Sequence, residues 1–470
     1  MYIMESITNG VEDYLVDGLS FKLPLTSSYI TNRTKSTFWA SGSNVYKPLQ
    51  GTKVVRFQLS GQDGTWLDPS TVRIQYDLVN NETGTETALA PQVKRIRPLS
   101  GPHLFFKRAR VLVNGAIAED LQDYNRMHEM FDSLSPDNVR DNTDSHGFGN
   151  RWDDKQHKYP ASENDVWTVD SMPGISPGKK QTVCFKPFFG LTNQSKLLPI
   201  KYAPIVIELE VVNNNTDAII SPDSKNVPNP GTAAVFVAAN TGTDWSIENI
   251  CIKCDLCTLD NNLNNEYTAH LLSGKSLPIT YTTYTNQQST IVTKPVAVQV
   301  ARAFTRLQKA FITFYKNPTT ETILDKPAIK FYHPMEYGVI DGKYKHNPAQ
   351  ELELQLQLGS KLYPEYPVRS ISECFSILKQ TLNIPYYHMH SVGIDYKQYI
   401  SNKFIFAMDF QKMPEASFTG QSTKGGEQLL VKVNNVDSAF VGNEIANSMF
   451  ITLASENIME IRDTAVSIMD

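Results

Sequence analysis

The chain has little of what several large protein classes require. Five cysteines in 470 residues are too few, and odd in number, for a disulfide framework, and they favour a reducing compartment. No run approaches the roughly 18 apolar residues of a membrane span. The segment Met1–Gly10 has neither the charged nor the apolar part of a secretory signal. We therefore expect a protein without a spanning helix that is not secreted.

Strong charge and catalytic motifs are also lacking. The net charge is −5, which excludes a nucleic-acid binder that is basic over its whole length. The sequence contains no phosphate-binding loop and no dinucleotide fingerprint G-x-G-x-x-G. The acidic pair Asp153 and Asp154 is adjacent in sequence, which says nothing about the separation that a glycosidase requires. We predict no enzyme.

The informative feature is a strict alternation of polar and apolar residues. Residues 351–358 read Glu-Leu-Glu-Leu-Gln-Leu-Gln-Leu, and Val72, Ile74, Tyr76 and Leu78 alternate with polar neighbours in the same way. Because successive side chains of a strand point to opposite faces, this pattern predicts sheets with one buried and one solvated face. The length predicts two or three domains, and the 26 prolines and 25 glycines fit many turns.

The pattern recurs along the whole chain, with turn residues between the apolar stretches. In the first half we predict strands over 54–59, 71–79, 105–113, 116–118, 181–189, 200–212 and 245–259. In the second half we predict strands over 277–284, 296–300, 310–315, 329–332, 351–358, 404–410, 428–433, 449–453 and 458–461. Seven to nine short strands per half are typical of a β-sandwich or jelly roll. No residue-level repeat relates the halves.

Three helices are predicted among these strands. Residues 120–131 carry apolar side chains at helical spacing, and Ser370 with Glu373 forms a capping box for a helix to about Leu382. Residues 260–273 form a short helix that ends before a glycine, and this helix is the clearest internal boundary. The polar stretches 132–178 and 213–243 are interpreted as long surface loops.

Metal-ligating residues occur only in incomplete sets. Cys251, Cys254 and Cys257 have zinc-like spacing, with His270 as the nearest fourth ligand. They lie in a predicted strand that sends Cys254 to the opposite face, so buried structural cysteines are the favoured interpretation. The pair His388 and His390 lacks neighbouring carboxylates or cysteines.

The dipeptide His128-Glu129 lacks the second histidine of the zincin motif. We therefore assign no catalytic, cofactor-binding or metal residues, and no cofactor.

Two further sets of residues bear on partners. A local basic stretch predicts either the solvated face of a strand, which we favour, or a nucleic-acid-facing patch; it comprises Lys94, Arg95, Arg97, Lys107, Arg108 and Arg110. Four Asn-x-Ser/Thr sequons are interpreted as chance occurrences or as targets of an unusual glycosylating enzyme; they begin at Asn32, Asn81, Asn193 and Asn214.

The order of segments resembles a known viral family. The first half passes through Trp66–Ser70, Arg110–Gly115, Ile117–Asp120, Tyr124–Arg126, Phe185–Phe189, Leu197–Pro204 and Ile205–Val211. This order is similar to that of the first jelly roll in double jelly-roll major capsid proteins of icosahedral double-stranded DNA viruses, namely nucleocytoplasmic large DNA viruses, virophages and polinton-like viruses. Trp245–Gly274 resembles the family's last strand of the first barrel and its inter-barrel helix, and Ile451–Asp470, with Met459–Arg462, resembles the closing strands of the second barrel.

The resemblance implies an all-β fold of two tandem eight-stranded jelly rolls joined by a short helix. The first jelly roll would span residues 1–262, and the linker helix with the second would span 263–470. It further implies homotrimeric, pseudo-hexagonal capsomers that tile an icosahedral shell within the virion, assembled in the cytoplasm or nucleus of the host cell. Implied partners are neighbouring trimers, penton and minor capsid proteins, the genome or an internal membrane beneath the shell, and host receptors or glycans at the outer loops.

Two other functions are compatible with a β-rich chain. A carbohydrate- or receptor-binding viral protein would present an aromatic platform in its loops, for which Trp152, Tyr159 and Trp167 are the candidates. Their alternative role is to anchor a long loop to the barrel. A jelly-roll glycoside hydrolase would require two convergent carboxylates in a cleft.

Overall fold

The chain folds into antiparallel sheets with a few short helices. The computed structural model describes residues 29–49, 51–62, 64–84, 94–136, 148, 174–219, 242–291, 295–315, 326–334, 339–340, 343–344, 352–384, 392–400, 402–413, 418–434, 447–463 and 465–470. The first half holds β1 (Ile30–Trp39), β2 (Val45–Tyr46), β3 (Val54–Leu59), β4 (Thr65–Asn80), β5 (Phe106–Val113), β6 (Ala116–Leu121), β7 (Lys180–Phe185), β8 (Ile205–Val211) and β9 (Trp245–Leu259).

The second half repeats this strand-rich character. It holds β10 (Leu277–Thr290), β11 (Val296–Gln299), β12 (Leu307–Tyr315), β13 (Val339–Ile340), β14 (Lys343–Tyr344), β15 (Glu353–Leu358), β16 (Lys361–Val368), β17 (Phe406–Asp409), β18 (Leu429–Asn434), β19 (Ser448–Ile461) and β20 (Val466–Met469). The helices are α1 (Tyr124–Leu134), α2 (Gly190–Asn193), α3 (Asn261–Leu272), α4 (Ile371–Thr381) and α5 (Tyr396–Tyr399), with a 3₁₀ turn at Pro102–Phe105.

Both halves have the same sheet topology. In the first half one sheet runs β1-β9-β4-β7, with β2 on β9, and the other runs β3-β8-β5-β6. In the second half the sheets run β10-β19-β12-β17, with β20 on β19, and β11-β18-β15-β16. When the eight principal strands of each half are numbered in chain order, both halves read 1-8-3-6 and 2-7-4-5. Two four-stranded sheets connected in this way form an eight-stranded jelly roll.

Alternation of side chains explains why these residues form strands. In β3, Val55, Phe57 and Leu59 are buried whereas the residues between them are exposed. In β15 the leucines are buried and the glutamines are half-buried, as the alternating sequence predicts. The predicted strands at 54–59 and 245–259 have the observed bounds. One face of each sheet is therefore committed to a core by the sequence itself.

The predicted linker helix is observed as α3. Its first turn is capped by Asp260, whose side chain accepts a hydrogen bond from the backbone N–H of Asn262. Gly274 follows the helix with a φ of +83°, a conformation that glycine adopts without strain. The predicted capping residue Ser370 likewise accepts from the backbone N–H of Glu373 at the start of α4.

Several predicted bounds are wrong. Helix α1 begins at Tyr124 rather than at residue 120, because Asp120 and Leu121 still pair with β5. Residues 329–332 form no strand; within them Phe331 makes one isolated bridge to Lys403. Strands β1, β16 and β20 were not predicted. They lie at sheet edges, where both faces can be solvated and the alternation is weak.

The two hydrophobic cores are not confined to one half each. The first core includes Ile279, Tyr281 and Met459 from the second half, and the second core includes Met130 and Leu134 from α1. Within the described parts of the chain, strands pair only with strands of their own half. The halves are thus joined mainly by side chains, together with one backbone hydrogen bond from the Gly393 N–H to the Leu134 carbonyl at 3.4 Å. The boundary between residues 262 and 263 stays a prediction. Among the described residues, no helix has the length and apolar character needed to span a bilayer.

Candidate functional site

Helix α1 joins the two halves by having two buried sides. Tyr124 and Met127 belong to the first core, whereas Met130 and Leu134 belong to the second. A helix that is buried on nearly all sides must lie between two packed bodies. The side toward the second half also carries Arg126, which is 4% exposed. Helix α1 therefore sets how the two jelly rolls meet.

The Arg126 guanidinium is held in the second half. It stacks between Phe331 and Phe450, with its central carbon 4.5 and 4.2 Å from the two ring centroids. It donates hydrogen bonds to the Lys330 carbonyl at 2.8 Å and to the Thr313 hydroxyl at 3.0 Å. Burial lowers the pKa of Arg126 to about 9, so the group remains charged at neutral pH. A buried cation with this many partners fixes one geometry, because any shift leaves the charge unsolvated.

A buried carboxylate holds the junction at a second point. Glu119 of β6 accepts hydrogen bonds from the backbone N–H groups of Gly190 and Leu191, at 2.9 and 2.7 Å, and from the Thr283 hydroxyl at 3.4 Å. Burial raises the pKa of Glu119 to about 7, and the backbone hydrogen bonds oppose this shift. Gly190 approaches β10 so closely that a Cβ atom there would lie 1.7 Å from the Thr282 carbonyl oxygen.

A third buried cluster surrounds Glu129 of α1. Its carboxylate accepts from the Ser100 hydroxyl at 2.8 Å, lies 3.0 Å from His103 Nε2, and lies 3.6 Å from Lys403 Nζ of the second half. The His128 ring stacks on His103 with 4.1 Å between centroids, and burial lowers the pKa of His128 well below its usual range. The His128-Glu129 pair therefore belongs to a packed polar network.

A cleft of about 620 Å³ opens at the junction. Its lining includes Tyr281, Lys309 and Glu456, and Glu456 is the one acidic side chain among the described lining residues. That carboxylate already accepts a hydrogen bond from the Phe418 N–H at 2.8 Å and lies 4.0 Å from Arg306. The described part of the cleft thus lacks the two convergent carboxylates that a glycoside hydrolase requires.

The three cysteines of β9 are all buried, and their thiols are free. Cys254 belongs to the first core, and burial raises its pKa to about 12, which favours the protonated thiol over the thiolate that zinc binds. His270 lies on α3, with Nε2 3.4 Å from the Ser276 carbonyl oxygen. Among the described residues, no three His, Cys, Asp or Glu side chains are grouped closely enough to hold a metal ion.

The predicted basic stretch divides into two parts. Arg108 and Arg110 lie on the solvated face of β5, where they pair with Asp120 and Glu208 at 2.6 Å each. This is the strand-face arrangement that we favoured, and its charges are compensated by acids on neighbouring strands. Arg97, in contrast, is fully buried, so the first part of the stretch does not form a surface patch.

Comparison with known proteins gives a structural likeness only. No protein-family model and no curated protein matches the chain. The PBCV-1 protein VP54, fitted into a reconstruction of the virophage Sputnik, aligns with a TM-score of 0.56 at 10% identity, over 96% of this chain and 99% of that one. The Faustovirus major capsid protein aligns with a TM-score of 0.55 at 8% identity, over 94% and 92%. This chain has the fold of double jelly-roll major capsid proteins.

The structure of the Sputnik virophage shows the same double jelly roll, with a TM-score of 0.54 at 11% identity, over 96% of this chain and 91% of that one. The fold that the order of segments implied is therefore confirmed. Such likeness at low identity arises because a jelly roll constrains which positions are buried far more than which residues occupy them.

Several residues that the sequence analysis singled out lie outside the part of the chain that the structure describes. The loop aromatics Trp152, Tyr159 and Trp167, the acidic pair Asp153 and Asp154, and the histidines His388 and His390 lie outside the described residues. Of the sequons, Asn32 and Asn193 are exposed, Asn214 is exposed in a turn, and Asn81 donates a hydrogen bond to the Ser246 hydroxyl.

The residues that hold the double jelly roll together were not found by sequence reasoning. No structural role was predicted for Glu119 or Arg126, and Glu129 was considered only as part of the incomplete zincin motif. One signal was available for α1, since Arg126, Met130 and Leu134 follow a second helical stripe beside the stripe of Tyr124 and Met127. Two stripes on one helix indicate burial on two sides. No pattern in the sequence around Glu119 indicated that its side chain is buried.

Proposed function

We propose that this chain is a major capsid protein whose copies form homotrimeric, pseudo-hexagonal capsomers that tile an icosahedral shell. The observation that carries this proposal is the double jelly-roll fold, which aligns over more than nine-tenths of both chains with the Faustovirus major capsid protein. On this proposal the chain works as a structural protein and catalyses no reaction.

Two halves of equal topology suit a hexagonal lattice. The sheets of both halves read 1-8-3-6 and 2-7-4-5, so three chains would present six similar jelly rolls around one axis. Such a ring requires one fixed angle between the halves. The buried contacts that cross between the halves supply that rigidity, because rotation would break them: Arg126 donates to the Lys330 carbonyl, Glu119 accepts from the Thr283 hydroxyl, and Glu129 pairs with Lys403. We place the division between the halves at residues 262 and 263.

The partners follow from the same role. Each trimer would contact neighbouring trimers at its sides, and penton and minor capsid proteins where the lattice closes. Its inner end would face the genome or an internal membrane, and its outer loops would meet host receptors or glycans. The protein would reside in the virion after assembly in the cytoplasm or nucleus of the host cell.

The solution mass of the purified protein tests this proposal. We expect light scattering to give roughly three times 52.8 kDa, unchanged over a hundred-fold dilution, and negative-stain images to show a six-sided outline. A chain that stays monomeric at every concentration would overturn the proposal. A stable dimer would overturn it as well, since a two-fold particle cannot present six similar jelly rolls.

A further inference from the structure

An apolar groove lies where the described chain begins. It has a volume of about 750 Å³ and lies between the start of β1, α3 and the start of β10. Its apolar lining includes Tyr29, Trp66, Leu263 and Tyr267. Clefts of this size and character usually bind a ligand or a peptide segment, because open apolar surface is unfavourable in water.

The first two described residues form one edge of this groove. Tyr29 is 52% exposed and Ile30 is 42% exposed, although both line an otherwise apolar surface. The Tyr29 carbonyl accepts a hydrogen bond from the Asp260 N–H at 2.9 Å, which fixes the backbone at this point. Residues 1–28 therefore continue directly from the groove edge, not from a distant part of the surface.

The preceding sequence has the pattern that such a groove would bind. Residues 19–25 read Leu-Ser-Phe-Lys-Leu-Pro-Leu. In an extended conformation Leu19, Phe21, Leu23 and Leu25 share one face, and Lys22 lies on the other. The groove is suited to this arrangement, since its described charged residues are limited to Lys196 and Glu266.

The short distance along the chain and one pair of opposite charges favour binding of residues 19–25 in the groove of their own chain. Four residue steps separate Leu25 from Tyr29, and they span at most about 14 Å, which keeps the apolar face beside the groove. A tether this short gives an effective concentration in the millimolar range, well above that of a second copy in dilute solution. Glu266 on the rim offers a carboxylate to Lys22. Pro24 lacks an N–H donor, so side chains would drive the docking rather than added strand pairing.

We infer that residues 19–25 dock in extended form into the groove formed by Tyr29, Trp66, Leu263 and Tyr267 of their own chain. The segment covers the exposed Tyr29 ring and ties the start of the chain to the helix between the two jelly rolls. Docking does not require the capsid role, so its failure and that of the proposed function are separable.

Photo-cross-linking of the full-length protein tests this inference. A benzophenone side chain at position 263, in place of Leu263, is expected to cross-link to residues 19–28 within a single chain of 52.8 kDa. The same probe at Leu272, which is 68% exposed on α3 and outside the groove lining, is the control and should give at least five-fold less of this product. A cross-link between two chains, or none to residues 19–28, would overturn docking within the chain.

Limited trypsin digestion gives a second, independent measurement. Docking shields the bond after Lys22, so Leu19→Asp, which changes the apolar face at a distance from the cleaved bond, should speed cleavage there by about ten-fold or more. Ser20→Asp places the same charge on the opposite face and should leave the rate within two-fold of the parent. Equal rates in the two variants would contradict the inferred face of the segment.

Discussion

The buried carboxylate of Glu119 should make the stability of this protein depend on pH in a predictable direction. Glu119 is 2% exposed, and its hydrogen-bond partners are two backbone N–H groups and the Thr283 hydroxyl. Glu119→Gln keeps the shape of the side chain and removes its titration. The glutamine amide resembles the protonated carboxyl in shape and in carrying a donor, so the parent should lose stability relative to the variant as the pH rises towards neutral.

The sign follows from the raised pKa. Burial raises the pKa of Glu119 from its usual 4.5 to about 7. Between these values the folded chain keeps a proton that the unfolded chain has released, so the free energy of unfolding falls as pH rises through this window. At about 1.4 kcal/mol per pH unit, the loss is roughly 3 kcal/mol and is complete just above pH 7.

Urea unfolding followed by tryptophan fluorescence measures the pH dependence that Glu119 contributes to the free energy of unfolding. The free energy of unfolding of the parent minus that of Glu119→Gln should fall by about 3 kcal/mol between pH 4.5 and 7.5. This difference cancels the titration of all other groups, provided that both proteins are compared at the same concentration. Glu365→Gln, at an exposed carboxylate on β16, is the control. A difference that stays constant across the range would refute the assignment of a buried, protonated Glu119.

Two further substitutions test the junction between the jelly rolls. Arg126→Met should lower the free energy of unfolding by about 3 kcal/mol, because it leaves buried carbonyl groups such as that of Lys330 without their donor. Arg126→Lys keeps the charge and should lose less; equal losses in urea unfolding would show that the hydrogen-bond geometry, not the charge, matters. Gly190→Ala should lower the thermal midpoint by several degrees, because its Cβ would collide with the Thr282 carbonyl. An unchanged midpoint would contradict this close approach.

Local pattern predicted most of the strands but not all of them. Val54–Leu59 and Trp245–Leu259 were found with their observed bounds because burial of one face imposes a strict period of two. Edge strand β1 was missed because its residues are exposed along most of its length, so no alternation marks it. Residues 329–332 have the composition of a strand. The Lys330 carbonyl, however, accepts a hydrogen bond from the Arg126 guanidinium instead of pairing with a neighbouring strand.

The sequence by itself determined most of the secondary structure of each half, the helix that separates them, and the resemblance to viral capsid proteins. These features depend on residues close together in the chain, where periodicity and capping act directly. Tertiary structure alone decided which charged residues became buried. Glu119, Arg126 and Glu129 meet partners that are between 26 and about 270 positions away, and pairing over such distances follows from how two jelly rolls pack. The second stripe of α1 indicates that Arg126 is buried, but local sequence does not show which partners it meets.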